Sequence, residues 1–277
     1  MDLVFSDIHA DISALESILS IATSNEFIKR YGDFSRIINL GDILERGTNP
    51  KQVLDKLKTL EKNYPVISVM GNHDEAFLYK RQVSGSSIDS IIAHEDLTQD
   101  DLSFFPQNND GTLGKQLYQD KKNGLLCVHG GPIDPKKITP KNAYDESWLY
   151  QRSWQRLTQE EFEFFSYSGY HYTAESAFSE AKENNCHVIL CGHQHDETAI
   201  LQDGQIRDIY HKIETTREKT TSYHIEKREI EINPENNYLI RLGLGGPQGD
   251  YGKRYAEPHF GIIQYDPSKV ILFTVKP

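Results

Sequence analysis

Aspartate, histidine and asparagine are hard-to-borderline donors that suit Mn²⁺, Fe or Zn²⁺, and they recur in five short clusters along this chain. The clusters are Asp7-Ile8-His9, Gly41-Asp42-Ile43-Leu44-Glu45-Arg46-Gly47, Gly71-Asn72-His73-Asp74, His129-Gly130-Gly131 and Gly192-His193-Gln194-His195. Two carboxylates, an amide and several imidazoles exceed the ligand set of one tetrahedral zinc, so the donors suit two ions. A shared carboxylate would hold such ions about 3.5–4 Å apart, the spacing used in phosphoester hydrolysis. A water bridging them loses its proton near neutral pH and becomes a nucleophile. Arg46 offers a planar fork to two phosphate oxygens. His73, beside Asn72, could protonate the leaving oxygen, a step that calls for a histidine-like acid.

Each cluster follows a short apolar run: Leu3-Val4-Phe5, Ile37-Ile38-Asn39-Leu40, Val66-Ile67-Ser68-Val69-Met70, Leu125-Leu126-Cys127-Val128 and Val188-Ile189-Leu190-Cys191. Apolar runs of this length read as buried strands. Donors at the carboxyl ends of several buried strands converge on one rim of a sheet, where α/β proteins place their sites. Between the first strands lie helical patterns. Ser13 and Glu16 have capping-box spacing, and Ile12, Leu15, Ile18, Leu19 and Ala22 form an apolar stripe. Asn49-Pro50 reads as an N-cap followed by proline at the first helical position, with Val53, Leu54, Leu57 and Leu60 on one face. Strands separated by such helices imply parallel βαβ units.

Two stretches, 75–123 and 134–183, read as helical insertions over the site. The second carries Trp148 and Trp154, whose rings either fix helices to the body or line a substrate pocket. From 197 onward the pattern turns β-like, with strands expected at 199–201, 206–209, 260–265 and 270–275 and exposed hairpins across 212–231. The expected organisation is a single domain over 1–277 with these insertions and a β-rich part at 197–277.

With 277 residues, 37% of them hydrophobic and 10% aromatic, the chain can bury a large core. A net charge of −11 argues against a nucleic-acid polymer as partner. No run approaches the ~18 apolar residues of a membrane span, and a strand opening at residue 2 or 3 leaves no room for a signal peptide. Cys127, Cys186 and Cys191 read as core thiols of a reducing compartment. A cytoplasmic location is therefore expected. The oligomeric state is not legible.

The ordered series Asp-x-His, Gly-Asp-x-x-Glu-Arg-Gly, Gly-Asn-His-Asp, His-Gly-Gly and Gly-His-x-His resembles the calcineurin-like metallophosphoesterases, over the span from Asp7 to His195. That resemblance implies an α/β fold, a four-layer αββα sandwich of two mixed sheets flanked by helices, with a dinuclear centre at one edge. It implies one divalent ion on Asp7, His9, Asp42 and His195, and a second on Asp42, Asn72, His129 and His193. Mn²⁺ is the leading candidate, with Fe or Zn²⁺ as alternatives. His73 becomes the acid or leaving-group partner and Arg46 a phosphate anchor, while Asn72 can also touch a phosphate oxygen. Asp74 is expected to cap the following helix or to orient His73. His94, like the other histidines outside the clusters, is assigned to the core or the surface.

The arginine of Glu-Arg-Gly resembles the branch of protein serine/threonine phosphatases and diadenosine tetraphosphatases. The Ser-Asp-Ile-His opening, the paired histidines and the glycine-rich turn at 243–249 resemble the cyclic-nucleotide phosphodiesterase-like branch instead. Glu45 stands where phosphatases carry an aspartate that supports the catalytic histidine, which puts a Glu45–His73 contact in question and leaves Glu45 a possible substrate-binding residue. The Trp148 to Arg152 segment resembles a tryptophan–arginine element of phosphatases, so Arg152 is either a second phosphate ligand or a surface ion-pair partner. The expected activity is hydrolysis of phosphomonoesters, among them phosphoserine, phosphothreonine or dinucleoside polyphosphates. Its partner would be a phosphorylated small molecule, a nucleotide or a phosphoprotein. A phosphodiesterase, or a non-catalytic metal-binding scaffold, are the alternatives.

Overall fold

A computed structural model describes residues 1–81, 85–158, 168–247 and 257–277. The end of the expected glycine-rich turn, with Gly249, lies outside the described residues. The chain runs β1 (Asp2–Phe5), α1 (Ile12–Ala22), α2 (Asn25–Tyr31), β2 (Arg36–Asn39), α3 (Pro50–Leu60), β3 (Val66–Ser68), α4 (Asn72–Leu78) and α5 (Ile88–Glu95). It continues through β4 (Tyr118–Asp120), β5 (Leu125–Cys127), α6 (Pro135–Ile138), β6 (Arg156–Leu157), β7 (His171–Tyr172), α7 (Ala174–Glu183) and β8 (Val188–Cys191). The last strands are β9 (Thr198–Gln202), β10 (Ile206–Asp208), β11 (Thr216–Lys219), β12 (His224–Glu231), β13 (Asn237–Arg241), β14 (His259–Tyr265) and β15 (Ser268–Val275).

The strands form two large mixed sheets, ordered β11-β12-β15-β14-β1-β2-β3 and β10-β9-β13-β8-β5-β4. In the first, β1, β2 and β3 run parallel; in the second, β5, β8 and β13 do. Successive side chains on a strand point to opposite faces, and each central strand feeds two cores. Val4, Ile38, Leu125, Cys127, Val188, Leu190, Ile240 and Leu272 meet between the sheets. Leu3, Phe5, Ile37, Phe260 and Phe273 pack outward against α1, α2 and α3 through Leu15, Ile18, Phe27 and Leu54. Leu126, Ile189 and Leu239 pack on the other side against Ala177, Phe178 and Ala181 of α7. The result is helices, sheet, sheet, helices. The continuous apolar runs follow from burial on both faces.

Several local expectations need correction. The N-cap of α1 is Asp11, whose side chain accepts from Ala14 N at 3.0 Å, not Ser13. Ala10 turns the chain with φ 53° just before it, so the helix starts two residues earlier than the Ser13–Glu16 spacing suggests. Asn49 precedes Pro50 as expected but makes no side-chain capping bond. The stretch 75–123 is helical at α4, α5 and a short turn at Asp101–Phe104, yet it ends in β4, which pairs antiparallel with β5. The stretch 134–183 likewise includes the parallel pair β6 and β7. These three strands, β4, β6 and β7, are only 2–3 residues long, too short for periodicity to register. Trp148 and Trp154 pack edge to face on one another with ring centroids 4.4 Å apart, and the Arg81 guanidinium lies over the Trp148 ring.

Candidate metal centre

All five clusters lie just past strand ends, and the backbone there is unusual. Asp7, His9, Asp42, Glu45, Arg46, His193 and His195 all have positive φ, between 48° and 72°. Side-chain-bearing residues avoid this region, and it persists where surrounding contacts over-determine it. Those contacts tie one cluster to another. Asp7 N donates to Gly41 O at 2.9 Å, His9 N to Asp42 O at 2.9 Å and Gly192 N to His129 O at 2.8 Å. His193 N donates to Asp7 Oδ2 at 3.0 Å. Gly192 is required by close approach: a Cβ there would lie 1.8 Å from Ser6 Oγ and 2.5 Å from Asp7 Oδ2.

The donors gather into two groups, Asp7 with His9 and His195, and Asp42 with His129 and His193, each group's ligand atoms lying within 4.8 Å of one another. Asp42 stands between the groups. Its Oδ2 is 3.7 Å from His9 Nε2 and 3.2 Å from His129 Nε2, while Oδ1 accepts from His73 N at 2.8 Å. Asn72 Oδ1 lies 3.1 Å from His129 Nε2. His129 Nδ1 donates to Leu40 O at 2.7 Å, which fixes the ring and turns Nε2 toward Asp42 and Asn72.

Charge balance bears on what this pocket can hold. Burial pushes Asp7 and Asp42 up, but His195 and His129 beside Asp7, and His129 and His73 beside Asp42, outweigh it, and both carboxyls end below the usual aspartate range. Burial and Arg46 drive His9 well below the usual histidine value. His193 is driven well below it too, by burial and then Arg156. Burial opposes protonation of His129, but Asp42 overcomes it and raises the imidazole to about 9. Asp7 Oδ1, Asp42 Oδ2 and His193 Nε2 are buried with no hydrogen-bond partner. Buried anionic oxygens and imidazole lone pairs without donors are costly unless a cation satisfies them. The donor set therefore fits a pair of divalent cations.

Beside the donors stand the remaining polar groups. Arg46 reaches His73 Nε2 with Nη2 at 3.1 Å and His195 Nε2 with Nη1 at 3.5 Å. His73 Nδ1 is 3.0 Å from Glu45 Oε2, so the longer side chain of Glu45 makes the supporting contact that its extra methylene put in question. Asp74 accepts from Ile43 N at 2.9 Å, Leu44 N at 2.8 Å and Gly71 N at 3.1 Å. Its work is to hold the loop after Asp42 against the start of α4, not to touch the His73 ring. Burial, then Asp42, raises its carboxyl to about 7.

A model of the calcineurin-like phosphoesterase family matches residues 3–197. The chain belongs to that family. A solved metallophosphoesterase from Sphaerobacter thermophilus covers 99% of this chain and 88% of its own, at 19% identity and a TM-score of 0.58. A hypothetical protein from Pyrococcus horikoshii OT3 covers 100% of this chain and 88% of its own, at 14% identity and a TM-score of 0.59. Both agree with the two-sheet fold. None of the curated proteins matches the chain. Among the described residues no helix is long and apolar enough to cross a membrane.

The structure does not bring the Arg152 side chain to either group of donors. Its Nε donates to Pro132 O at 3.1 Å, and Asp134 and Glu180 are the acidic groups that act on it. What Arg152 gives the site is its carbonyl, which accepts from Gly130 N at 3.1 Å and Gly131 N at 2.9 Å and so braces the turn after His129. Arg156, which the sequence reading did not single out, is the arginine whose charge acts on His193. Trp154-Gln155-Arg156 is a second tryptophan–arginine pair, closer spaced and four positions beyond the one chosen. That spacing was the available signal.

Proposed function

We propose that this family member is a metal-dependent phosphatase that hydrolyses phosphomonoesters, with phosphoserine, phosphothreonine or dinucleoside polyphosphates as candidate substrates. The observation that carries the reading is the position of Arg46, with one guanidinium nitrogen on His73 and the other on His195. A planar cation between the donor groups and an imidazole suits a terminal, dianionic phosphate, which it can bind through two oxygens.

Asp7, His9, Asp42 and His195 would hold one divalent cation, Mn²⁺ foremost, and Asp42, Asn72, His129 and His193 the other. When bound, the pair supplies Lewis acidity toward phosphoryl oxygens and an ionised water as nucleophile. The chain's own groups do the rest. Arg46 orients the phosphate, with Asn72 as a further neighbour of its oxygens. Glu45 would hold the Nδ1–H of His73; once a phosphate draws the Arg46 guanidinium off Nε2, that nitrogen can carry the second ring proton and pass it to the leaving oxygen. Arg156, not Arg152, is the second cation on the His193 side.

The test compares p-nitrophenyl phosphate with its bis-ester on the Mn²⁺-loaded protein. A preference for the monoester of about 10-fold or more in kcat/KM is expected, a difference of ~1.4 kcal/mol in transition-state binding. A strong preference for the diester would establish the phosphodiesterase alternative, and no turnover of either would leave a metal-binding scaffold.

A further inference from the structure

We propose that His94, on helix α5 and outside the five clusters, is a positioning residue for His73 that acts through the backbone amide of Glu45. Glu45 and Arg46 are consecutive residues in left-handed backbone, each with φ 65°. Their amides point away from any helix or strand ladder and must find acceptors elsewhere. Both acceptors come from the segment that follows α4. Glu45 N donates to His94 Nε2 at 2.7 Å, and Arg46 N donates to Ser86 Oγ at 3.3 Å.

His94 is built for this. It is 5% exposed, its ring lies edge-on to Phe77 at 5.3 Å, and its Nδ1 donates to Ser90 O at 2.7 Å, one helical turn back. With the proton on Nδ1, Nε2 is an acceptor, the one role that a backbone N–H can use. Burial also holds the imidazole below the usual histidine value, which keeps it neutral. The Glu45 amide is thus pinned at one end while the Glu45 carboxylate meets His73 Nδ1 at 3.0 Å at the other. Losing the His94 acceptor leaves a buried amide unpaired in a strained turn, and relaxation of that turn swings the carboxylate off His73.

The inference rests on the reading of His73 as the leaving-group acid, and the experiment separates the two. His94→Gln keeps an acceptor at comparable reach; His94→Leu removes it, and His94→Asn is too short to reach while staying polar. Each is loaded with Mn²⁺ and assayed on phenyl phosphate, a poor leaving group, and p-nitrophenyl phosphate, a good one, beside His73→Asn. The expected result for His94→Leu is a loss of about 10-fold or more in kcat on phenyl phosphate, a smaller loss on p-nitrophenyl phosphate, and unchanged KM and metal content. His94→Gln should recover most of that loss. Proton NMR should show the His73 Nδ1–H resonance weakened in the leucine variant and restored in the glutamine one. If His94→Leu does not fold, His94→Asn against His94→Gln makes the same comparison. Equal losses on both substrates, or glutamine no better than asparagine, overturn the role of His94 while His73→Asn still discriminates the leaving groups. A His73→Asn variant that does not discriminate them overturns the underlying reading and the inference with it.

Discussion

Asp42 Oδ2 lies 3.2 Å from His129 Nε2, and the same oxygen is 3.7 Å from His9 Nε2 in the other group of donors. One carboxylate oxygen thus faces both halves of the centre, and no other acidic side chain belongs to the second group. The arrangement concentrates the site's dependence on one negative charge.

Asp42→Asn should therefore weaken both cations together. Asparagine tolerates the φ of 54° at this position, and its carbonyl can still accept from His73 N, so the fold should survive. The expected outcome is metal content well below two ions per chain and no measurable turnover. Ligands at 100-fold excess over Kd stabilise by about 2.7 kcal/mol, so the variant's thermal midpoint should also lose most of its response to added Mn²⁺. Metal analysis together with calorimetry checks this. Two stoichiometric ions in the variant would remove Asp42 from the bridging position.

His73→Asn separates chemistry from binding. The ring touches Glu45 and Arg46 through its nitrogens, while its backbone amide, which the substitution leaves intact, holds Asp42. Bound metal should remain near wild type while kcat falls by roughly 10²-fold or more, the scale of lost acid catalysis. An unchanged kcat would take His73 out of the reaction.

The donors were legible because each sits directly after an apolar run, and a strand end is the one place where sequence neighbours such as Asp7 and His9 can be aimed at a common point. Burial of both faces of the central strands was legible too, since residues such as Leu3 and Val4 are both apolar and both buried, which a one-sided sheet does not allow; the second sheet was implied by the family resemblance alone. What escaped was carried by long-range contact. His94 has no local signature, because its meaning comes from the amide of a residue 49 positions away. Arg156 and Arg152 present the same side chain near a tryptophan, and the fold alone decides which of the two charges acts on His193. β4 is too short to show alternation and exists because β5 offers it an edge.

Gly192→Ala tests the interlock between the ends of β1 and β8. The new methyl would sit 1.8 Å from Ser6 Oγ and 2.5 Å from Asp7 Oδ2, and both neighbours are fully buried. Something must shift, and Asp7 is the group that also accepts from His193 N. Overpacking of this kind costs about 1–3 kcal/mol. Denaturant unfolding of the metal-free protein should show that loss, and titration should show metal binding weakened relative to wild type, more at the site proposed on Asp7 than at the one proposed on His129. A variant with wild-type stability would mean that the two loops are not in contact.

At the other end of the strands, Arg36 of β2 joins the sheets, pairing with Asp2 of β1 and, at 3.0 Å, with Asp120 of β4. Burial opposes ionisation of Asp120, but Asn123 and Arg36 outweigh it and hold its carboxyl below the usual aspartate range. A carboxyl depressed in the folded state adds stability above its unfolded value, about 3.9, and that stability is lost as pH falls through the folded value. Asp120→Asn should therefore cost about 1 kcal/mol at pH 7, the partial exposure of the pair keeping the figure small. The gap between variant and wild type should begin to narrow as the pH drops below about 3.9 and close only once the pH has passed the lower folded value, where the folded wild-type carboxyl also becomes neutral. Urea unfolding at pH 7 and at pH 3, on metal-free protein so that ligand protonation does not intrude, measures how far the gap narrows. A gap that stays constant between those two conditions would show that the aspartate acts by shape rather than by charge.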